Sequence, residues 1–209
     1  MQVVWDRSIA VAALARGDRR LARVLAAHES AVMPAPRRHD PFAYLLRAIV
    51  YQQISGHAAR AIHGRLIALF PRRRPNAAAL LALPDAALRA AGLSVGKMRS
   101  VRDLAEKRIA GVVPGRTRLE ALSDDEIMER LTAVRGVGPW TVQMLLIFSL
   151  DRPDVLPDTD LGIRKGYALA YGLDELPPPE AIRARAERWR PWRSVASWYL
   201  WRCADTANV

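Results

Sequence analysis

The sequence predicts an all-α protein built from short helices joined by tight turns. Three observations point there. Apolar residues recur at helical spacing: Phe42, Leu45, Leu46 and Ile49 follow i, i+3, i+4, i+7, and Val101, Leu104, Ala105 and Ile109 form a similar stripe. No stretch alternates with the period of two that a half-buried strand requires. The interruptions are short and chemically clear, at HDPF, PRRRPN, LPDAAL, GVVPGRT, LSDDE, RGVGPW, LPDTD and LPPPE, which divides the chain into about nine or ten helices.

Taken in order, the N-terminal stretch MQVVWDRSIAVAALARGD is broken by Asp6 and Arg7, unlike a basic leader followed by an apolar core, so an unprocessed start is expected. The stripe beginning at Phe42 runs into YQQIS, where the helix should break at residues 52–55. PRRRP at 71–75 reads as a solvated loop, and RARAER at 183–188 as the surface of a helix. Ser123, with Glu126 three residues on, forms a reciprocal capping box ahead of Ile127, Leu131 and Val134. That helix should stop at Gly136. A new one should begin with Pro139 in its first turn, where the missing N–H costs nothing, and run through WTVQMLLIFSL. Further on, LPDTDLGIRKG places Asp158 and Asp160 on either side of a helix start, where one acid serves as a cap and two exceed what capping needs.

Composition bounds the function. With 209 residues, 51% of them hydrophobic, the chain can bury a core as one domain or two small lobes. Its 32 Lys and Arg against 21 Asp and Glu give a net charge of +11 and a pI near 10.9, which suits a polyanionic partner such as nucleic acid. Cys203 is the sole cysteine, which excludes an internal disulfide, a zinc ribbon or a four-cysteine iron–sulfur cluster and suits a reducing cytosol. The longest charge-free run, residues 136–150, contains a turn and is shorter than the roughly 18 residues of a membrane span, so no membrane partner is expected.

The stretch LTAVRGVGPWTVQMLL is helix, tight turn, helix. At such a turn the first N–H groups of the second helix lack intrahelical partners and its dipole favours an anion; the candidate donors are Gly136, Gly138, Trp140 and Thr141, with the Thr141 hydroxyl in reserve. GVG alone is equally explained by an ordinary helix–helix corner. The longer pattern of residues 131–146 resembles the helix-hairpin-helix motif, with Val142 where alanine is usual. That resemblance implies a DNA phosphate at Gly136, Val137, Gly138 and Thr141. It also implies a monovalent cation, Na+ or K+, on the backbone carbonyls of Thr132, Val134 and Val137.

The hairpin, its Gly/Val/Pro-rich loop and an aspartate twenty residues past Trp140 together resemble the helix-hairpin-helix (HhH-GPD) DNA glycosylase superfamily. DLGIRKG is most similar to its DNA-3-methyladenine glycosylase II branch, as are FAYLLRAIVYQQIS and AERWRPWRSVASWYLWR, so the likeness spans residues 40–202. It implies a two-lobed all-helical fold with the active-site cleft between lobes and no room in the first 40 residues for the N-terminal β-rich domain of some members. One glycosylase domain would then cover residues 1–209: a lobe of about 41–150 containing the hairpin 131–146, and a second lobe from 1–40 plus 151–209.

The family's catalytic aspartate falls on Asp160; Asp158 is the alternative, because endonuclease III-like members write the motif as Asp-Thr-His. An ionised carboxylate at a helix start is stabilised by the dipole and by N–H donors, and it suits a reaction that builds positive charge on deoxyribose. The implied enzyme excises alkylated purines without lyase activity, since Trp140 stands where lyases place a lysine nucleophile. Trp140, Trp201 and Tyr44 are the expected pocket aromatics, with Met144 and Leu161 facing the same pocket; Trp189, Trp192 and Trp198 are expected to be structural. Gln53, with Ile54 beside it, is the expected wedge that fills the duplex after flipping. Leu93 is either a second wedge or a residue that packs the turn. Arg135, Lys97, Arg99 and Arg164 are candidate phosphate contacts. No cofactor is required, the expected partner is double-stranded DNA with damaged bases, and the expected setting is a cytoplasmic, nucleoid-associated monomer. The rival reading is a non-catalytic DNA-binding module, which leaves a carboxylate near the DNA backbone without a purpose.

Overall fold

The computed structural model of the chain describes residues 5–206. Among them are thirteen α-helices and no strand. In chain order these are α1 (Arg7–Gly17), α2 (Arg19–Ala27), α3 (Pro41–Tyr51), α4 (Gly56–Ala68), α5 (Ala77–Ala82), α6 (Asp85–Ala90), α7 (Val95–Ile109), α8 (Arg116–Glu120), α9 (Asp124–Thr132), α10 (Pro139–Phe148), α11 (Leu161–Tyr171), α12 (Pro179–Ala186) and α13 (Arg193–Thr206). Short 3₁₀ turns occupy Pro71–Arg73 and Glu187–Trp189. The count exceeds the nine or ten expected because α5, α6 and α8, of six, six and five residues, arise within or beside PRRRPN, LPDAAL and GVVPGRT, too short to show a period.

Polar side chains set where the helices start. Asp18 caps α2, Asp40 caps α3 ahead of Pro41, Ser55 caps α4, Ser94 caps α7, and Ser123 with Glu126 closes the capping box of α9. A cap contributes about 1 kcal/mol, whereas each fully buried Leu or Phe contributes roughly 1.5–3 kcal/mol. Caps therefore decide the boundaries and burial decides that the helices form.

The chain divides into two compact units. One is Arg38–Leu145; the other takes the described residues before Arg38 together with those from Leu146 onward, so the division falls inside α10. In the continuous unit, α3 buries Phe42, Leu45, Leu46 and Ile49 and packs on α4 and α7, and α7 buries Val101, Leu104 and Ala105. In the discontinuous unit α11 lies along α13, with α2 against both. The α11–α13 approach is set by Gly166, where a Cβ would stand 1.9 Å from the Leu200 carbonyl oxygen.

Asp18 ties the two ends of that unit together. Its carboxylate caps α2 and accepts from the Tyr171 hydroxyl (2.5 Å) and Trp189 Nε1 (3.3 Å). Trp198 Nε1 donates to the Ala31 carbonyl and Trp192 lies 5.7 Å from Trp5, so Trp189, Trp192 and Trp198 hold this unit together as structural residues.

Candidate active site

In the discontinuous unit the Asp160 side chain is the N-cap of α11. A turn closed by the Asp160 N–H on the Pro157 carbonyl presents it, and Oδ1 accepts from the Ile163 N–H at 2.9 Å. The same oxygen accepts from Trp201 Nε1 at 2.8 Å. The carboxylate is thus pinned by one backbone and one indole donor, each strengthened by its charge.

Trp201 reaches Asp160 because of glycine. A Cβ at Gly162 would stand 2.8 Å from Trp201 Cδ1 and 3.1 Å from Asp160 Oδ1, so only hydrogen at that position lets the ring pass over the start of α11. Gly162 and Gly166 lie four apart and share one face, which seats α13 and carries Trp201 to the carboxylate. Phe148 backs the indole, with ring centroids 5.8 Å apart. Trp201, expected as a stacking wall, is in the structure a hydrogen-bond donor to the candidate catalytic acid.

Asp158 is placed differently. It is only 9% exposed, and its Oδ2 accepts from Arg183 Nε at 2.8 Å and from a second guanidinium nitrogen at 2.5 Å, an ion pair on one oxygen. Its carboxylate fastens the loop ahead of α11 to α12: Asp158, the alternative catalytic acid of the sequence reading, is engaged in bracing the loop that carries Asp160. Leu161 is 54% exposed beside Asp160. Arg164 sends Nε to the Pro177 carbonyl, so part of the guanidinium expected at a phosphate ties α11 to the loop ahead of α12.

The continuous unit carries the hairpin, and it is built as a sharp reversal between α9 and α10. Gly136 has φ of +78°, and a Cβ there would meet Ser100 Oγ at 2.8 Å, so both backbone and space require glycine. Gly138 differs: its φ is not left-handed and a Cβ would meet nothing within 4 Å. Arg135, Gly136, Gly138 and Trp140 are exposed, Trp140 by 48%. The structure narrows the expected donor set. The Val137 N–H donates to the Val134 carbonyl and the Thr141 N–H to Gly138, while Thr141 is buried, so the turn itself uses these two groups. Met144 is 9% exposed, inside the helix pack. Tyr44 is half-buried, and burial pushes its hydroxyl pKa up to about 12 against the opposing charge of Arg47.

The break after α3 falls where the sequence places it. Gln53 adopts φ of +56° and is exposed, as is Ile54 at 37%. Of the two readings of Leu93, its burial favours packing: it is 4% exposed. Its N–H donates to the Leu88 carbonyl and Gly92 N–H to Arg89, the paired bonds of a glycine helix stop whose following apolar residue folds back onto the helix. That pattern, Gly92 followed by Leu93, is the signal that decides between the two readings of Leu93. The exposed apolar residue of AGLSVGK is Val95, at 51%. Lys97 is also redirected: its ammonium donates to the Val50 and Gln52 carbonyls at 2.6 and 2.9 Å, and burial pushes its pKa below the usual lysine range.

Comparison with known proteins identifies the family of the chain. The profile of the HhH-GPD superfamily base excision DNA repair proteins matches residues 46–191. DNA-3-methyladenine glycosylase 1 of Schizosaccharomyces pombe is 37% identical over 172 residues, covering 82% of this chain and 75% of that protein. The solved Schizosaccharomyces pombe 3-methyladenine DNA glycosylase in complex with abasic DNA superposes with a TM-score of 0.80 at 34% identity, covering 96% of this chain and 97% of the other. The Bacillus halodurans DNA-3-methyladenine glycosidase superposes with a TM-score of 0.85 at 32% identity, covering 100% and 93%.

Proposed function

Because the chain belongs to the HhH-GPD superfamily of base excision DNA repair proteins, we propose that it is a monofunctional DNA glycosylase. It flips alkylated purines such as 3-methyladenine and 7-methylguanine out of double-stranded DNA and hydrolyses their N-glycosidic bonds. The observation that carries this reading is the Asp160 carboxylate, fixed at the start of α11 by Ile163 N–H and Trp201 Nε1.

Breaking the C1′–N bond sends the bonding pair to the base and leaves positive charge on the sugar. A preorganised anion stabilises that charge without reorganising at the moment of reaction. Water then adds to C1′, and its proton passes to Asp160 or to solvent. A purine alkylated at N3 or N7 is already cationic, so it departs without a strong acid. Trp140, half exposed, presents a π-face to such an electron-poor base, an attraction of roughly 0.5–2 kcal/mol. Its indole offers no amine for a Schiff base, so borohydride trapping is expected to leave no covalent adduct.

DNA is anchored at the hairpin through Gly136 and Gly138 with Arg135, and Gln53 enters the space the flipped base leaves. The Thr132, Val134 and Val137 carbonyls are hard, neutral oxygens around the left-handed Gly136, a donor set that suits Na+ or K+. A cation there would supply positive charge beside a phosphate. The chemical step itself is assigned to no cofactor, and the expected setting is a DNA-associated monomer in the cytosol. No helix among the described residues is long and apolar enough to cross a membrane.

The deciding experiment is release of free bases from methylated duplex DNA, resolved by chromatography, for the native chain and for Asp160→Asn. The variant keeps Oδ1 as an acceptor but loses the charge, so release is expected to fall at least about 10²-fold while DNA binding holds or tightens. DNA binding without base release by the native chain would instead make it a binding module.

A further inference from the structure

Gln53 is an L residue held in the left-handed region, a conformation that persists only where its surroundings dictate it. The surroundings that do so converge from two sides. Lys97, on α7, takes the Val50 and Gln52 carbonyls that end α3, leaving the chain to turn at once. Ser55 then accepts from the Ala58 N–H and starts α4 two residues later. Farther along α7, Ser100 sits against Gly136 and Asp103 accepts from the Arg135 N–H at 2.7 Å. The α3–α4 turn and the hairpin are therefore fastened to successive turns of one helix, α7. A single side chain also joins them directly: Gln52 Nε2 donates to the Gly136 carbonyl at 2.8 Å, across 84 positions of sequence.

We infer that Gln52 is a positioning residue for base flipping, the crosspiece that holds Gln53 at a set distance from the hairpin's phosphate contact. This rests on the glycosylase reading. Gln52 itself touches no base in this scheme. A phosphate seated at Gly136 and Gly138 fixes where the base stack lies, and the hydrogen bond from the Gln52 amide to the Gly136 carbonyl fixes where Gln53 enters it. With the crosspiece removed, α7 still holds both ends through Lys97 and Asp103, so the fold and the anchor survive while the wedge gains play.

The test uses Gln52→Met, which keeps length and bulk but cannot donate, beside Gln52→Ala. Excision of 7-methylguanine from a continuous duplex is expected to fall about 10-fold or more in single turnover, the scale on which ångström misplacements act. Excision of the same base from a single-nucleotide bulge, where it is already unstacked, is expected to stay within about 2-fold of the native chain. Affinity for undamaged duplex and its salt dependence should not change. Fluorescence of 2-aminopurine next to the lesion should show reduced flipping. A native duplex rate in Gln52→Met, or an equal loss on duplex and bulge, overturns the inference. If the native chain released no base from either substrate, the glycosylase reading would fail, and the fluorescence change, which needs no chemistry, would decide the role of Gln52 alone.

Discussion

Replacing Gly162 by alanine strains the bond between Trp201 and Asp160 from both sides, since the new Cβ would stand 3.1 Å from Asp160 Oδ1. The new Cβ would stand 2.8 Å from Trp201 Cδ1. Carbon atoms settle no closer than about 3.5 Å, so the indole must retreat by about 0.7 Å. If that retreat is along the bond, Nε1 to Oδ1 opens from 2.8 Å to about 3.5 Å, too long for a useful hydrogen bond. The Ile163 bond remains, so the carboxylate stays at the helix start but loses the restraint of the indole. A misplacement of this size costs on the order of 10- to 100-fold in rate. Stability should fall modestly as well, because the overpacking of roughly 1–3 kcal/mol outweighs the gain of up to about 1 kcal/mol that alanine has over glycine in a helix. Single-turnover release of 7-methylguanine, with thermal melting in parallel, reads both. Gly166→Ala is the contrast: its Cβ would meet the Leu200 carbonyl oxygen at 1.9 Å and backbone cannot step aside, so it should lose roughly 3 kcal/mol or more of stability. A native rate in Gly162→Ala would refute the claim that Trp201 positions Asp160.

Further outcomes follow from other residues. Asp158→Asn should keep base release within a few-fold of native, because Asp158 is engaged by Arg183; a loss as large as that of Asp160→Asn would return the chemistry to Asp158. Leu93→Ala should destabilise by about 2–5 kcal/mol, as a buried leucine does, with activity per folded molecule preserved; a stable protein that flips poorly would make it a wedge after all. Gly138→Ala should melt no lower than native, since its Cβ meets nothing, yet bind duplex DNA more weakly because the methyl occupies the phosphate approach. Acid titration should find Asp18. Burial alone would raise its pKa, but the bonds from Tyr171, Leu21, Trp189 and Arg20 outweigh it and hold the folded value below 3.8. Its stabilisation is therefore complete above that pH and is lost as pH falls through the lowered value; Asp18→Asn should flatten the acid limb of a stability–pH curve.

The parts legible in the sequence are those governed by neighbours. The capping box at Ser123, the glycine stop at Gly136, the proline start of α10 and the helix start at Asp160 all depend on groups within four residues. What escaped depends on distant partners. Nothing near Gln52 announces the Gly136 carbonyl, and Lys97 reads as a free cation until α3 is folded beside it. The Trp201 bond shows the same limit, because a tryptophan with the right spacing reads as a stacking surface whichever way its N–H points. Two signals were present but local in a less familiar way: Gly92 followed by Leu93 encodes a folded-back helix end, and Gly162 with Gly166 encodes a face another helix can approach closely.

The unit that carries Asp160 is stitched from both ends of the chain: Asp18 meets Tyr171 across 153 positions, whereas the hairpin unit is one uninterrupted segment. During synthesis the segment 38–145 emerges whole and can condense on its own, while α1 and α2 must wait for α11 and α13. The delay adds little loop entropy, which grows only as the logarithm of length. It does impose an order of assembly. On the proposed assignment, a chain interrupted after α10 holds the hairpin but lacks Asp160, so an unfinished copy is inert toward the glycosidic bond.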